Sequence, residues 1–169
     1  MSECAAARET LAPFVPDTGL NLEIGFGGDV LVPWQLPMDR PQPYTNVGGV
    51  KQVFRGHCDD LSFLCDESVS SISSSHLLED FSYGHLQRIL TEWRRVLAVG
   101  GLIITNCPNQ KQYLACCRKD GTEPNQAHYE PDFSLPKFCE VLDQCGAWET
   151  VFEKYDALPY SWYLVVKKL

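Results

Sequence analysis

A short alternating stretch that runs straight into a cluster of glycines constrains this chain more than any other feature. Residues 20–29 read Leu-Asn-Leu-Glu-Ile-Gly-Phe-Gly-Gly-Asp, with Leu20, Leu22 and Ile24 on one side of the alternation. That spacing predicts a short buried strand. Gly25, Gly27 and Gly28 then let the backbone turn sharply or let a ligand come close. A strand that stops at a glycine loop forms the crevice in which open α/β sheets bind nucleotides, outside the carboxyl end of the strand. The pattern Gly25-x-Gly27-Gly28 misplaces the third glycine of a dinucleotide fingerprint, which disfavours a nicotinamide-dependent reductase. No Gly-Lys-Ser/Thr follows, so a phosphate-cradling loop is not expected either.

The 169 residues fit one domain with a real core. An N-terminal arm over residues 1–18 and a single domain over residues 19–169 are expected. Fourteen Lys and Arg against 22 Asp and Glu leave a net charge of −8. Such a surface disfavours nucleic acid and anionic membrane as partners, because little positive field is available to displace phosphate counterions. No apolar run approaches the roughly 18 residues of a membrane span. The N-terminus lacks a basic start followed by an apolar core, so a cytoplasmic setting is expected. The eight cysteines then read as free thiols, and with no C-x-x-C pair among them no metal site is expected.

Taken in order, residues 3–11 suit two helical turns ended by Pro13 and Pro16. A packed terminus is favoured there over a substrate lid. Between Gly28 and a strand around residues 32–38 there is no room for a full helix, so the first crossover helix is shortened or absent. The Pro-rich residues 37–44 read as loop, residues 51–55 as a short strand and residues 69–74 as a serine-rich strand. Leu86, Ile89, Leu90, Trp93, Val96 and Leu97 recur at helical spacing across residues 82–97. Gly100-Gly101 is read as the left-handed cap of that helix. Residues 102–105 form an apolar strand and residues 106–133 a long polar connection. A helix over residues 135–145, capped by Ser134 and ended by Gly146, precedes two strands near residues 149–155 and 162–167, paired antiparallel through Ala157-Leu158-Pro159. The fold class is therefore α/β, a Rossmann-like, mostly parallel sheet with an antiparallel C-terminal strand pair.

Three stretches carry a family resemblance: Ser74-Ser75-His76-Leu77-Leu78-Glu79-Asp80-Phe81; Leu90-x-Glu92-Trp93-x-Arg95-Val96-Leu97-x-x-Gly100-Gly101; and Pro108-Asn109. Together with Glu23-x-Gly25-x-Gly27, and over roughly residues 20–167, the chain resembles the class I S-adenosylmethionine-dependent methyltransferases. The resemblance implies S-adenosylmethionine as cofactor and a small molecule or a protein as methyl acceptor. The cofactor carries no phosphate, so the glycines serve close backbone approach rather than anion capture.

By the same resemblance Gly25, Phe26 and Gly27 form the cofactor loop, and Glu23 anchors it or accepts from the cofactor's amino group. Asp39 would accept from both ribose hydroxyls, with Pro37 as an alternative alignment position. His57 falls where an acid commonly meets the adenine amino group, Cys58 supplies the next backbone N–H, and Asp59 or Asp60 is the substitute if the loop shifts. Ser74, at the end of the fourth strand, is counted among the cofactor contacts.

Methyl transfer needs alignment more than acid–base chemistry, and a base helps only if the acceptor must lose a proton. His76 and His128 are the catalytic candidates. The bland alternatives are a cap on the following helix for His76 and a solvent-loop position for His128. Tyr113 and Tyr129 line an acceptor pocket or pack the insertion. Glu79 and Glu92 read as structural. His57 at the acid position, Ser70 in place of the usual aspartate, and the missing crossover helix motivate a second reading, a methyltransferase-like domain without turnover that serves as a binding or scaffold module.

Overall fold

The structure, a computed structural model, describes residues 2–41 and 49–169. Helix α1 (Glu3–Leu11) begins at Ser2, whose hydroxyl accepts from the Ala5 N–H, and ends in a 3-10 turn that contains Pro13. The strands are β1 (Asn21–Ile24), β2 (Leu36–Asp39), β3 (Phe54–Arg55), β4 (Val69–Ser75), β5 (Leu97–Pro108), β6 (Trp148–Lys154) and β7 (Ser161–Lys168). Helices α2 (Tyr83–Val96), α3 (Gln110–Asp120) and α4 (Leu135–Asp143) complete the order.

Among the described residues the seven strands form one sheet in the order β3-β2-β1-β4-β5-β7-β6. The first five are parallel, and β7 lies antiparallel between β5 and β6. Strand order reverses between β1 and β4. The crevice of such a sheet therefore lies at the carboxyl ends of these two strands.

Alternation along β5 and β7 divides the core. Ile103, Leu164 and Val166 face a layer with Leu86, Ile89, Leu90, Trp93 and Val96 of α2 and with Phe138 and Leu142 of α4. Ile104, Tyr163 and Val165 face Cys4, Ala7 and Leu11 of α1, together with Leu31 and Val32. The apolar stripe foreseen on α2 is buried at every one of these positions. At roughly 1.5–3 kcal/mol for each large apolar side chain, that stripe holds the helix in place far more firmly than its propensity does.

The β1–β2 crossover spans residues 25–35 without a helix. Chain lies directly on the sheet instead. Gln35 makes this tolerable, for its side-chain oxygen accepts from the Val32 N–H at 3.0 Å and its amide donates to Ser73 Oγ at 2.8 Å. The buried serines of β4 serve the same end, Ser71 donating to Asn21 Oδ1 at 2.8 Å.

Several boundaries differ from the sequence reading. Strand β2 runs through Pro37 to Asp39, so the expected loop starts only at Arg40; its continuation over residues 42–44 lies outside the described residues. Pro37 is admitted because its nitrogen faces the β3 side, where the partner strand is two residues long. The strand expected over residues 51–55 is reduced to those same two residues. Gly100-Gly101 does not cap α2, since Leu97 is already extended and enters β5 directly. Val69 pairs with Leu97 and Ser71 with Leu102, so residues 98–101 form an irregularity in the strand, where Gly100 takes φ +81°. The long polar connection contains α3, with Asn109 as its N-cap and Gly121, at φ +66°, just past its end.

Candidate active site

The glycine loop follows β1 at the switch point. Gly25 sits at φ +70°, donates its N–H to the Met38 carbonyl at 2.9 Å, and has no room for a side chain, since a Cβ would meet Leu77 at 2.8 Å. Two residues further, the Gly27 N–H reaches Asp39 Oδ2 at a long 3.4 Å. The other Asp39 oxygen accepts from the Arg40 N–H at 2.8 Å. Burial raises the Asp39 pKa, and these two N–H groups and Arg40 oppose the rise.

Two cavities meet at this loop. The first, about 240 Å³, lies between Gly25–Gly27, the start of α1, and the end of β4 at Ser75 and His76. Its far wall holds Glu79, Tyr113, His128 and Tyr160. The second, about 330 Å³, is bounded by His57, Cys58, Asp59, Phe81 and His85. Gly25, Asp39 and Leu77 line both. Leu77 stands between them as a partition.

His76 adopts φ +51°, a backbone conformation rare for a residue with a side chain. Its N–H bonds the Asn106 carbonyl at 2.9 Å, which fixes the turn out of β4. The ring then spans two partners, Glu79 Oε1 at 3.2 Å from Nδ1 and Ser161 Oγ at 3.2 Å from Nε2. Burial opposes a charge on this ring, but the Glu79 carboxylate outweighs it and the pKa is raised. His128 approaches the same Glu79 oxygen at 3.8 Å through Nε2, while its Nδ1 lies 2.8 Å from Gln110 Oε1. Because an amide oxygen only accepts, that contact places the proton on Nδ1 and leaves Nε2 with a lone pair. Burial lowers the His128 pKa, with the Glu79 charge opposing. The two rings therefore differ in kind. His76 is the more basic, and His128 is neutral at physiological pH.

The second cavity has its own pair. His85 Nε2 lies 2.8 Å from Asp59 Oδ2, and the His85 ring meets Phe81 edge-on at 4.8 Å. The Cys58 carbonyl accepts from the Trp93 indole at 2.8 Å, which ties this loop to α2. Burial and the Asp59 charge push the Cys58 thiol up to about 12, so it is a neutral wall element.

Gly25, Phe26, Gly27, Asp39, His76 and His128 share the first cavity, and Gly25, Asp39, His57 and Cys58 the second. Glu23 and Ser74 line neither. Glu23 is fully buried in β1, and Ser74 Oγ pairs with Thr105 Oγ1 at 3.1 Å inside the sheet. Trp34 stands clear of both cavities, half exposed, its indole N–H on the Pro16 carbonyl at 2.8 Å. His128 is no solvent-loop residue, its side chain being 5% exposed. Tyr113 lines the first cavity, whereas Tyr129 is exposed.

Sequence reasoning missed several of the lining residues. Glu79, read as structural, lies between the two catalytic candidates, three residues after His76 in the same turn. Tyr160, in the closing turn, and His85, on the first turn of α2, carried no separable signal. Among the described residues no group of three or more His, Cys, Asp or Glu side chains is placed to hold a metal ion, and no helix is long and apolar enough to cross a membrane.

Solved structures share this fold. The PH0226 protein of Pyrococcus horikoshii superposes with a TM-score of 0.74 at 15% identity, over 98% of this chain and 89% of that one. A Thermotoga maritima protein described as a SAM-dependent methyltransferase, possible histamine N-methyltransferase, gives 0.68 at 18% identity over 98% and 89%. A SAM-dependent methyltransferase of Archaeoglobus fulgidus gives 0.70 at 14% over 98% and 92%. No protein-family model and no curated protein matches the sequence. The sheet order, with its antiparallel closing pair and the loop at its switch point, is that of the class I methyltransferase α/β fold, which those structures share. At such low identity the likeness concerns the fold.

Proposed function

We propose that this chain is an S-adenosylmethionine-dependent methyltransferase acting on a small-molecule or protein acceptor. The observation that carries this reading is the meeting of two cavities at Gly25 and Asp39, on the switch point of the sheet. The donor set fits the cofactor. Among the described residues Asp39 Oδ2 accepts one long N–H contact, from Gly27 at 3.4 Å, which leaves it an acceptor for a ribose hydroxyl. An imidazole at His57 can accept from the adenine amino group, and by the family resemblance the Cys58 N–H would donate to a ring nitrogen. Phe26 and Leu77 supply apolar walls. Glu23 and Ser74 act from inside the sheet as positioning residues.

When bound, the cofactor supplies a methyl group on sulfur, already a good leaving group. The residues of the chain orient the acceptor in line with that methyl, and His128 Nε2 takes a proton where the acceptor must lose one. His76, held by Glu79 and Ser161, shapes the same wall.

Saturating S-adenosylhomocysteine is expected to raise the melting temperature. At a hundredfold excess over Kd the gain is about 2.7 kcal/mol, or roughly 5–10 °C for a chain of this size. No shift at millimolar ligand contradicts the reading. The helix-free crossover over residues 25–35 favours the second reading, a binding module without turnover. That reading gains if the ligand leaves the melting temperature unmoved.

A further inference from the structure

Apart from the His76 ring, which pairs with Glu79, the wall of the first cavity carries charge of one sign. Its charged residues are Glu3, Asp39 and Glu79, and none of its described residues is Lys or Arg. The geometry points to a small amine as the methyl acceptor, bound as its ammonium against Glu79 and the rings of Tyr113 and Tyr160. This rests on the methyltransferase reading above.

Glu79 is the centre of the argument. Its side chain is 1% exposed, yet neither oxygen has a donor in full hydrogen-bond geometry among the described residues. Two imidazoles reach only one of the oxygens, at 3.2 and 3.8 Å. Beside the carboxylate the aromatic rings form a continuous wall. Tyr113 lies 4.6 Å from His128 and 5.2 Å from Tyr160, and Tyr160 lies 6.2 Å from His76. A buried carboxylate short of donors, with ring faces at its side, selects a cation. A carboxylate acceptor is repelled there, and an alcohol brings no charge to Glu79 beyond the His76 ring at 3.2 Å. The volume of about 240 Å³ suits a small molecule or the end of a larger one.

The chemistry balances with the cofactor as the only co-reactant. The ammonium gives a proton to His128 Nε2, and the freed nitrogen lone pair attacks the methyl carbon of the sulfonium. The C–N bond forms as the C–S bond breaks, with the electron pair left on sulfur. The product is a methylated ammonium, and the proton on His128 passes to solvent.

Calorimetry with phenethylamine, 2-phenylethanol and phenylacetate, each with and without saturating S-adenosylhomocysteine, tests the inference. The amine is expected to bind about tenfold more tightly than the alcohol, with the carboxylate weakest, and Glu79→Gln is expected to bring the amine-to-alcohol ratio close to one. Equal affinities in the unaltered protein, or an unchanged ratio in folded Glu79→Gln, overturn it. Should Glu79→Gln not fold, Tyr160→Leu serves: a several-fold fall in the ratio supports the inference and an unchanged ratio contradicts it. An amine preference that disappears once S-adenosylhomocysteine is bound means that the acid wall serves the cofactor's own amino group, and the inference is lost. If S-adenosylhomocysteine itself does not bind, the methyltransferase reading fails separately, and the ratio without it still decides whether the cavity selects cations.

Discussion

Glu23 is fully buried in β1, and burial pushes its carboxyl up to about 8 from an ordinary 4.5, opposed only in part by the Gln35 side chain and the Leu31 N–H. Between those two values the folded chain holds a proton that the unfolded chain has released. Stability is therefore fully present below pH 4.5 and declines until pH passes about 8. The loss is on the order of 5 kcal/mol at most. Glu23→Gln keeps the shape and removes the ionisation, so its urea midpoint is expected to exceed that of the unaltered protein at pH 8 and to match it near pH 4.5. An equal fall with pH in both proteins contradicts this. Gly25→Ala forces a side chain into φ +70° and against Leu77 at 2.8 Å. A cost of about 1–3 kcal/mol is expected in thermal unfolding, together with loss of S-adenosylhomocysteine binding. Leu77→Ala in the same chain is expected to restore part of the stability, because the clash is with the end of its side chain. The glycines were legible because backbone freedom leaves a mark in local sequence, whereas Asp39 was reached only through the family resemblance. Glu79 was not, since its role arises from His128, 49 residues away, folding back onto it.

At the scale of elements, helix α2 links core and site. Trp93 is fully buried and its indole N–H donates to the Cys58 carbonyl at 2.8 Å. Trp93→Phe leaves that carbonyl without its donor and opens a small void. A loss of about 1–3 kcal/mol is expected, with a several-fold weaker affinity for S-adenosylhomocysteine because the Cys58 loop bounds the second cavity. Unchanged affinity in the folded variant separates the helix from the site. Helix α2 was readable because five buried apolar residues repeat at its period. Helix α3 was not, since it buries only Gln110 and Cys117. Its ends did leave a signal, Asn109 before it and Gly121 after it, which a search for apolar stripes passes over. Gly100-Gly101 misled for the converse reason: glycine permits a left-handed backbone in a strand irregularity as readily as at a helix end.

For the whole molecule, one sheet brings together residues from both ends of the chain: Glu3 from α1, the Gly25 loop from β1, His76 after β4 and Tyr160 before β7 all border one cavity. The mostly parallel sheet and its antiparallel closing pair were legible from segment types alone, because the connections available to short parallel strands are few. Closure of the cavity by α1 and α3 was not, for it depends on packing at long range. The central claim is a cofactor site on the Gly25 loop, where that cavity meets its neighbour, with the Glu79 end of the first cavity left to the acceptor. Isothermal titration of the intact protein with S-adenosylhomocysteine tests this most directly. The expected result is saturable heat at one ligand per chain, abolished in Gly25→Ala. The absence of heat at millimolar ligand with folded protein contradicts it.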